Sequence, residues 1–160
     1  MLVHLIRLIR PKQWIKNFFV FAPLLFSRHI FDLEYLIPAV AAFFIFSLAS
    51  SAVYIINDIM DVEADRMHPK KKYRPIASGE LNTKQALIFF IILITVIIVC
   101  LFFQRPVFAV VIVMYFITNL MYSLKVKSIV LLDVFFISFG FMLRVLGGAA
   151  AIGVPVSTWM

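Results

Sequence analysis

The chain has 160 residues, of which 64% are hydrophobic and only 14% charged, with a net charge of +7 and a mean hydropathy of +1.05. Soluble domains are nearer half apolar and need polar residues to coat their outside, so this composition excludes an ordinary water-soluble domain. Cys100 is the only cysteine and lies in an apolar run, which excludes an internal disulfide and a CxxC metal pair, while the scattered His4, His29 and His68 argue against a histidine zinc site.

The N-terminal stretch interleaves Arg7 and Arg10 with apolar residues and has no small-residue cleavage site, so it reads as an amphipathic lead-in rather than a signal peptide. Five apolar segments follow. The first runs from about Trp14 to Phe31 and is interrupted by Pro23. The second covers Tyr35 to Ile59, the third Thr83 to Phe103, the fourth Val107 to Tyr122 and the fifth Ile129 to Ile152. Each approaches the run of about 20 apolar residues that a spanning helix needs. Pro106 and Pro155 stand at segment boundaries, where a missing backbone N–H does least harm. The pattern predicts an all-α, polytopic transmembrane helix bundle.

Basic residues orient such a bundle. With the N-terminus cytoplasmic, twelve fall inside: Arg7, Arg10, Lys12, Lys16, Arg66, Lys70, Lys71, Lys72, Arg74, Lys84, Lys125 and Lys127. Only Arg28 and Arg105 fall outside, and Arg144 lies within a segment. This bias predicts a multi-pass protein of the cell (inner) membrane with a cytoplasmic N-terminus. Short basic stretches between apolar segments are a topology signal, not a nucleic-acid face, so the expected partner is the lipid bilayer.

Four of the eight acidic residues fall between Asp58 and Asp65, at the cytoplasmic end of the second segment. Continued as one helix, Tyr54, Asn57, Asp58, Asp61 and Asp65 share an arc of about 100°, with Glu63 on the opposite side. Carboxylates this close repel one another. A hard divalent cation relieves that repulsion, and Mg²⁺ favours oxygen ligands shared with substrate phosphates. The expected metal set is Asn57, Asp58, Asp61 and Asp65, with Asp58 and Asp61 as the catalytic pair. The alternative is a solvated helix end whose acids pair with Arg66 and the lysines.

The loop beyond it reads His68-Pro-Lys70-Lys71-Lys72-Tyr-Arg74-Pro. Beside an acidic stripe these cations suit an anion clamp, with lysines as point charges and Arg74 as a two-pronged donor. Asp133 and Arg144 lie eleven residues apart in the fifth segment, within about 20° on one helix face. Ionisable groups at membrane depth are costly and face polar cavities. Tyr122 and Lys125 close the fourth segment, where Tyr122 serves either as an interface anchor or as part of the site. Gly140, Gly147 and Gly148 are expected to allow close helix approach.

The run Asn57-Asp58-x-x-Asp61-x-x-x-Asp65, followed by Arg74-Pro-Ile-Ala-Ser-Gly79, resembles the NDxxDxxxD motif and its continuation in the UbiA superfamily of intramembrane transferases. Arg10-Pro-Lys-Gln-Trp-Ile-Lys16-Asn, His68-Pro-x-Lys71-Lys and Tyr122-Ser-x-x-Lys125 are similar to the decaprenyl-phosphate phosphoribosyltransferase-like branch. The resemblance implies about five spans of a roughly nine-span helical fold. It implies transfer of 5-phosphoribosyl from phosphoribosyl diphosphate to polyprenyl (decaprenyl) phosphate, with Mg²⁺ and release of diphosphate. Asn57 and Asp61 would hold the metal and diphosphate, with Asp58 and Asp65 in support. Lys12 or Lys16, Tyr54, Lys71 or Lys72, Lys125 and Arg144 would contact phosphates.

Family members are longer, so residues 1–160 are expected to form one incomplete transferase domain, the N-terminal half, with a possible oligomer or complementary C-terminal half as partner. Two alternatives stay open. One is a prenyltransferase of the same superfamily, with a polyprenyl diphosphate donor and an aromatic acceptor. The other is an inactive fragment or non-catalytic membrane subunit. The lysine-rich loops favour the donor that carries more phosphate.

Overall fold

A computed structural model describes residues 2–123 and 130–156. Among the described residues seven α-helices follow in chain order: α1 (Leu2–Ile9), α2 (Ala22–Phe26), α3 (Leu33–Met60), α4 (Val62–Met67), α5 (Thr83–Leu101), α6 (Pro106–Met121) and α7 (Val130–Ile152), with 3₁₀ segments at Pro11–Phe21 and Lys71–Tyr73. No strand occurs among the described residues. Helices α3, α5 and the Val134–Ile152 part of α7 are long and apolar enough to cross a membrane, and α6 is a shorter apolar helix.

The helix ends follow their chemistry. Asn82 caps α5, accepting from the Gln85 amide at 2.8 Å while the Gln85 side chain accepts from the Asn82 amide at 3.1 Å, a reciprocal box that satisfies two otherwise orphaned donors. Pro106 opens α6 at the position where its missing N–H costs nothing. The sequence suggests a first apolar helix from Trp14 to Phe31, but the chain there winds as the 3₁₀ segment Pro11–Phe21 and then α2. The 3₁₀ winding rises about 2.0 Å per residue against about 1.5 Å for an α-helix. These 16 residues therefore cover about 30 Å, the thickness of the hydrocarbon core.

Helix α3 is the central element, packed against α5, α6, α7, α1 and the first 3₁₀ segment. At 28 residues it is about 42 Å long, so one end reaches past the apolar layer and carries the aspartates with it. Its small residues Ser47, Ser50 and Ser51 receive the 3₁₀ segment. Asn17 Nδ2 donates to Ser47 Oγ at 3.1 Å and to Ser50 Oγ at 3.3 Å, and Trp14 Nε1 donates to Ser51 Oγ at 3.0 Å. Helix α7 closes the other side. A Cβ on Gly148 would collide with the Val20 carbonyl and one on Gly147 with the Phe46 ring, so these glycines permit the close approach expected of them. Gly140 instead leaves room for the Arg144 guanidinium, which donates to its carbonyl at 2.7 Å.

Apolar packing fills the remainder. Phe46 meets the edges of Phe108 and Tyr115 with ring centroids 5.8 and 5.4 Å apart, tying α3 to α6, and Leu143 of α7 joins them. Leu8, Ile55, Ile76 and Leu81 tie α1, α3 and the connection before α5 together. The outward faces of α5 and α6 expose Ile88, Ile91, Val96, Val110 and Ile117, an apolar exterior suited to lipid.

Candidate active site

Two polar clusters form around the same stretch of α3. The first is ionic. Asp58, 2% exposed, accepts from Arg10 Nη2 and, at 3.1 Å, from Arg74 Nη1. Arg74 also donates to Asp65, which lies 3.9 Å from Lys71 Nζ. The Arg10 guanidinium lies 4.8 Å from the Tyr54 ring centroid, a cation–π contact. Arg10 adopts a positive φ of 51° just before Pro11, a backbone conformation uncommon outside glycine. One atom of this cluster, Asp58 Oδ2, is buried without a hydrogen-bond partner.

Asn57 and the aspartates beside it do not all face one cluster. Helix α3 ends at Asp61, which serves both as its C-cap and as the N-cap of α4. Asp58 and Asp65 turn to Arg74, whereas Asn57 lines a cavity on the neighbouring face. Glu63 projects to solvent and accepts from Arg66 at 3.0 Å. Among the described residues no three His, Cys, Asp or Glu side chains gather to hold a metal ion.

The second cluster lines that cavity, of about 270 Å³. Helix α3 contributes Ser50, Tyr54 and Asn57; the 3₁₀ segment contributes Lys16; α6 contributes Tyr115, Thr118 and Asn119, with Tyr122 at its C-cap; α7 contributes Gly140 and Arg144. Arg144 is 7% exposed. Its Nε donates to Asn17 Oδ1 at 2.8 Å and its Nη2 to the Tyr115 hydroxyl at 3.0 Å. The guanidinium also lies 5.0 Å from the Tyr115 ring centroid and 5.4 Å from that of Phe141. No carboxylate is among its described partners. A buried cation whose described partners are neutral acceptors and ring faces keeps its charge available to an anion. Asn57 Oδ1 accepts from Ser123 Oγ at 2.5 Å, which fixes the carboxamide at the cavity rim.

Of the residues singled out in the sequence, Lys16, Tyr54, Asn57, Tyr122 and Arg144 come together at the cavity. Asp58, Asp65, Lys71 and Arg74 form the ionic cluster beside it. Lys12 is exposed, and Lys72 lies over the Tyr73 ring at 5.2 Å. Lys125 lies outside the described residues, as does the side chain of Asp133 on α7. Sequence reasoning counted Arg10 only as a flanking charge and passed over Asn17, Tyr115, Thr118 and Asn119. The last three, with Tyr122, occur at i, i+3, i+4 and i+7, a polar stripe that the helical period would have revealed.

The oxygen-rich chemistry of Asn57 and Asp61 fits a hard divalent ion completed by water and phosphate oxygens, as Mg²⁺ prefers. Asp58 and Asp65 are already neutralised by arginine and lysine, which favours a supporting place for them.

Comparison with known proteins places the chain. It is 37% identical over 159 residues to the decaprenyl-phosphate phosphoribosyltransferase of Mycolicibacterium smegmatis, covering 97% of this chain and 50% of that protein. It is 39% identical to the decaprenyl-phosphate phosphoribosyltransferase of Corynebacterium glutamicum, covering 97% of this chain and 48% of that protein. The chain thus spans about half the length of these curated relatives. Its fold matches a UbiA homolog from Archaeoglobus fulgidus bound to GPP and Mg²⁺, with a TM-score of 0.75 and 18% identity over 97% of this chain and 56% of that one. Apolar helices and these relatives together make it an integral membrane protein. With the model of the UbiA prenyltransferase family matching residues 17–160, the chain belongs to that family.

Proposed function

We propose that residues 1–160 form the N-terminal half of an Mg²⁺-dependent intramembrane transferase that moves 5-phosphoribosyl from phosphoribosyl diphosphate to a polyprenyl phosphate and releases diphosphate. The observation that carries this reading is Arg144, buried at a polar cavity beside Lys16 with no acid among its described partners. Such a cavity suits a multiply phosphorylated ligand. The names of the relatives point to the same chemistry, and the Mg²⁺ bound by the structural neighbour supports the metal.

In this reading Arg144, Lys16 and the Tyr115 hydroxyl hold phosphate oxygens. Tyr115 accepts from Arg144, so its own proton remains to be donated. Asn57 and Asp61 would hold the metal, which neutralises charge developing on the departing diphosphate. Asp58, Asp65, Arg10 and Arg74 keep the end of α3 and the following loop in place. Lys71, Lys72, Tyr122, Lys125 and Asp133 remain candidate contacts for substrate, and the apolar exterior would accommodate the polyprenyl tail. Arg10 and Arg74 meet on Asp58, and Arg7 lies 3.5 Å from Glu80. The N-terminus and the 61–82 connection therefore share one end of the bundle, proposed as the cytoplasmic one by its excess of basic residues.

The test supplies the chain with the remaining half of a relative in membranes and follows radiolabelled phosphoribose into polyprenyl phosphate. Asp61→Ala is expected to lower transfer by about 100-fold or more. Undiminished transfer would defeat the metal assignment. Tags in the 66–80 loop should resist labelling by reagents confined to the outside, and labelling there would reverse the orientation.

A further inference from the structure

The walls of the cavity differ in hydrogen-bonding capacity. Lys16 and Arg144 present N–H donors and no lone pairs. At Thr118 and Asn119 on α6 the balance shifts toward acceptors. Thr118 Oγ1 donates to the Met114 carbonyl at 2.7 Å, and Asn119 Nδ2 donates to the Tyr115 carbonyl at 2.8 Å. A carbonyl only accepts, so these bonds fix the threonine proton and the amide nitrogen against the helix backbone. Thr118 keeps two lone pairs, and Asn119 keeps its carbonyl oxygen and one N–H. Both side chains are half-exposed and line the cavity.

Back-bonding of this kind is common for threonine in apolar helices and by itself says nothing of ligands. Thr95 on α5 makes the same bond, to the Ile91 carbonyl at 2.9 Å, but it is exposed on the outer face of the bundle. Thr118 and Asn119 differ in facing a cavity that already holds two cations. Phosphate oxygens only accept, so free lone pairs on α6 match a different part of the ligand, one that carries O–H donors.

We infer that Thr118 and Asn119 are specificity-determining residues that accept hydrogen bonds from the ring hydroxyls of a phosphorylated sugar while Lys16 and Arg144 take its phosphates. This rests on the proposed phosphoribosyl donor and assigns its sugar to the α6 wall. A prenyl diphosphate has no hydroxyl to offer, and binding it would cover these acceptors without pairing them, the situation by which polar pockets reject apolar analogues.

The experiment measures the affinity of the protein in lipid nanodiscs, with Mg²⁺, for phosphoribosyl diphosphate and for inorganic diphosphate. Thr118→Val and Asn119→Leu should each weaken the sugar ligand about 5- to 10-fold while changing inorganic diphosphate by less than about twofold. Thr118→Ser, which restores the hydroxyl, should keep the preference, and Thr95→Val should leave both affinities unchanged. Parallel losses for the two ligands, or no loss for either, overturn the sugar assignment while leaving the anion cavity standing. If the unsubstituted protein binds neither ligand, the anion cavity and the sugar assignment fall together.

Discussion

Around Asp58 each described charge meets its opposite, whereas around Arg144 none does. The ionic cluster joins two acids to Arg10, Arg74 and Lys71. The cavity cluster surrounds one guanidinium with a carboxamide, a hydroxyl, a backbone carbonyl and two aromatic faces. Neutralised charge holds segments together, because breaking one partner strands the other away from water. Charge left without a counter-ion is costly at membrane depth and marks a place where a ligand completes the balance. Motif membership alone does not separate these uses, for Asn57 and Asp58 are chain neighbours and face different clusters.

The sharpest way to break the comparison is Asp58→Ala. It strands Arg10 and leaves Arg74 with Asp65 alone, and the expected loss is about 3 kcal/mol, read as a lowered melting temperature in detergent. A variant as stable as the parent would remove the structural role. Arg144→Met should behave differently. Its neutral partners lose hydrogen bonds worth about 1–2 kcal/mol together, while diphosphate affinity falls about 30-fold or more, as for loss of a buried charged contact. A fall in stability as large as that of Asp58→Ala would mean the two clusters do the same job. Arg74→Lys sharpens the point within the ionic cluster. Lysine cannot reach both aspartates with a planar fork, so a loss of about 1–2 kcal/mol is expected, without a matching loss of diphosphate affinity. Glu63→Ala is the control. Its side chain is 81% exposed and pairs only with Arg66 among the described contacts, so thermal stability should change by less than about 0.5 kcal/mol.

Much of the fold was legible because spanning helices are written as uninterrupted apolar length. The reading Tyr35–Ile59 became Leu33–Met60, and Val107–Tyr122 became Pro106–Met121. The first segment was not legible, since α and 3₁₀ windings share one apolar composition and its path is set by Ser47, Ser50 and Ser51, 30 to 37 residues beyond their partners. The site was partly legible. Asn57, Tyr54, Lys16 and Arg144 reach the cavity, whereas Asp58 and Asp65 keep together on Arg74 beside it. The helical wheel could not show that distant arginines take up these two acids, Arg10 being 48 residues away from Asp58. Tyr115, Thr118 and Asn119 escaped notice because each is unremarkable alone at membrane depth.

The bond from Arg144 to Asn17 joins residues 127 positions apart, and this bears on how the molecule is made. A chain grows from its N-terminus, so Asn17, its serine cradle and Tyr115 are synthesised before Arg144. The arginine thus enters the bilayer with its acceptors already made, which lowers the cost of inserting a cation. A nascent chain lacking Asn17 would meet its difficulty only when α7 leaves the ribosome, as a late stall in insertion rather than an early one.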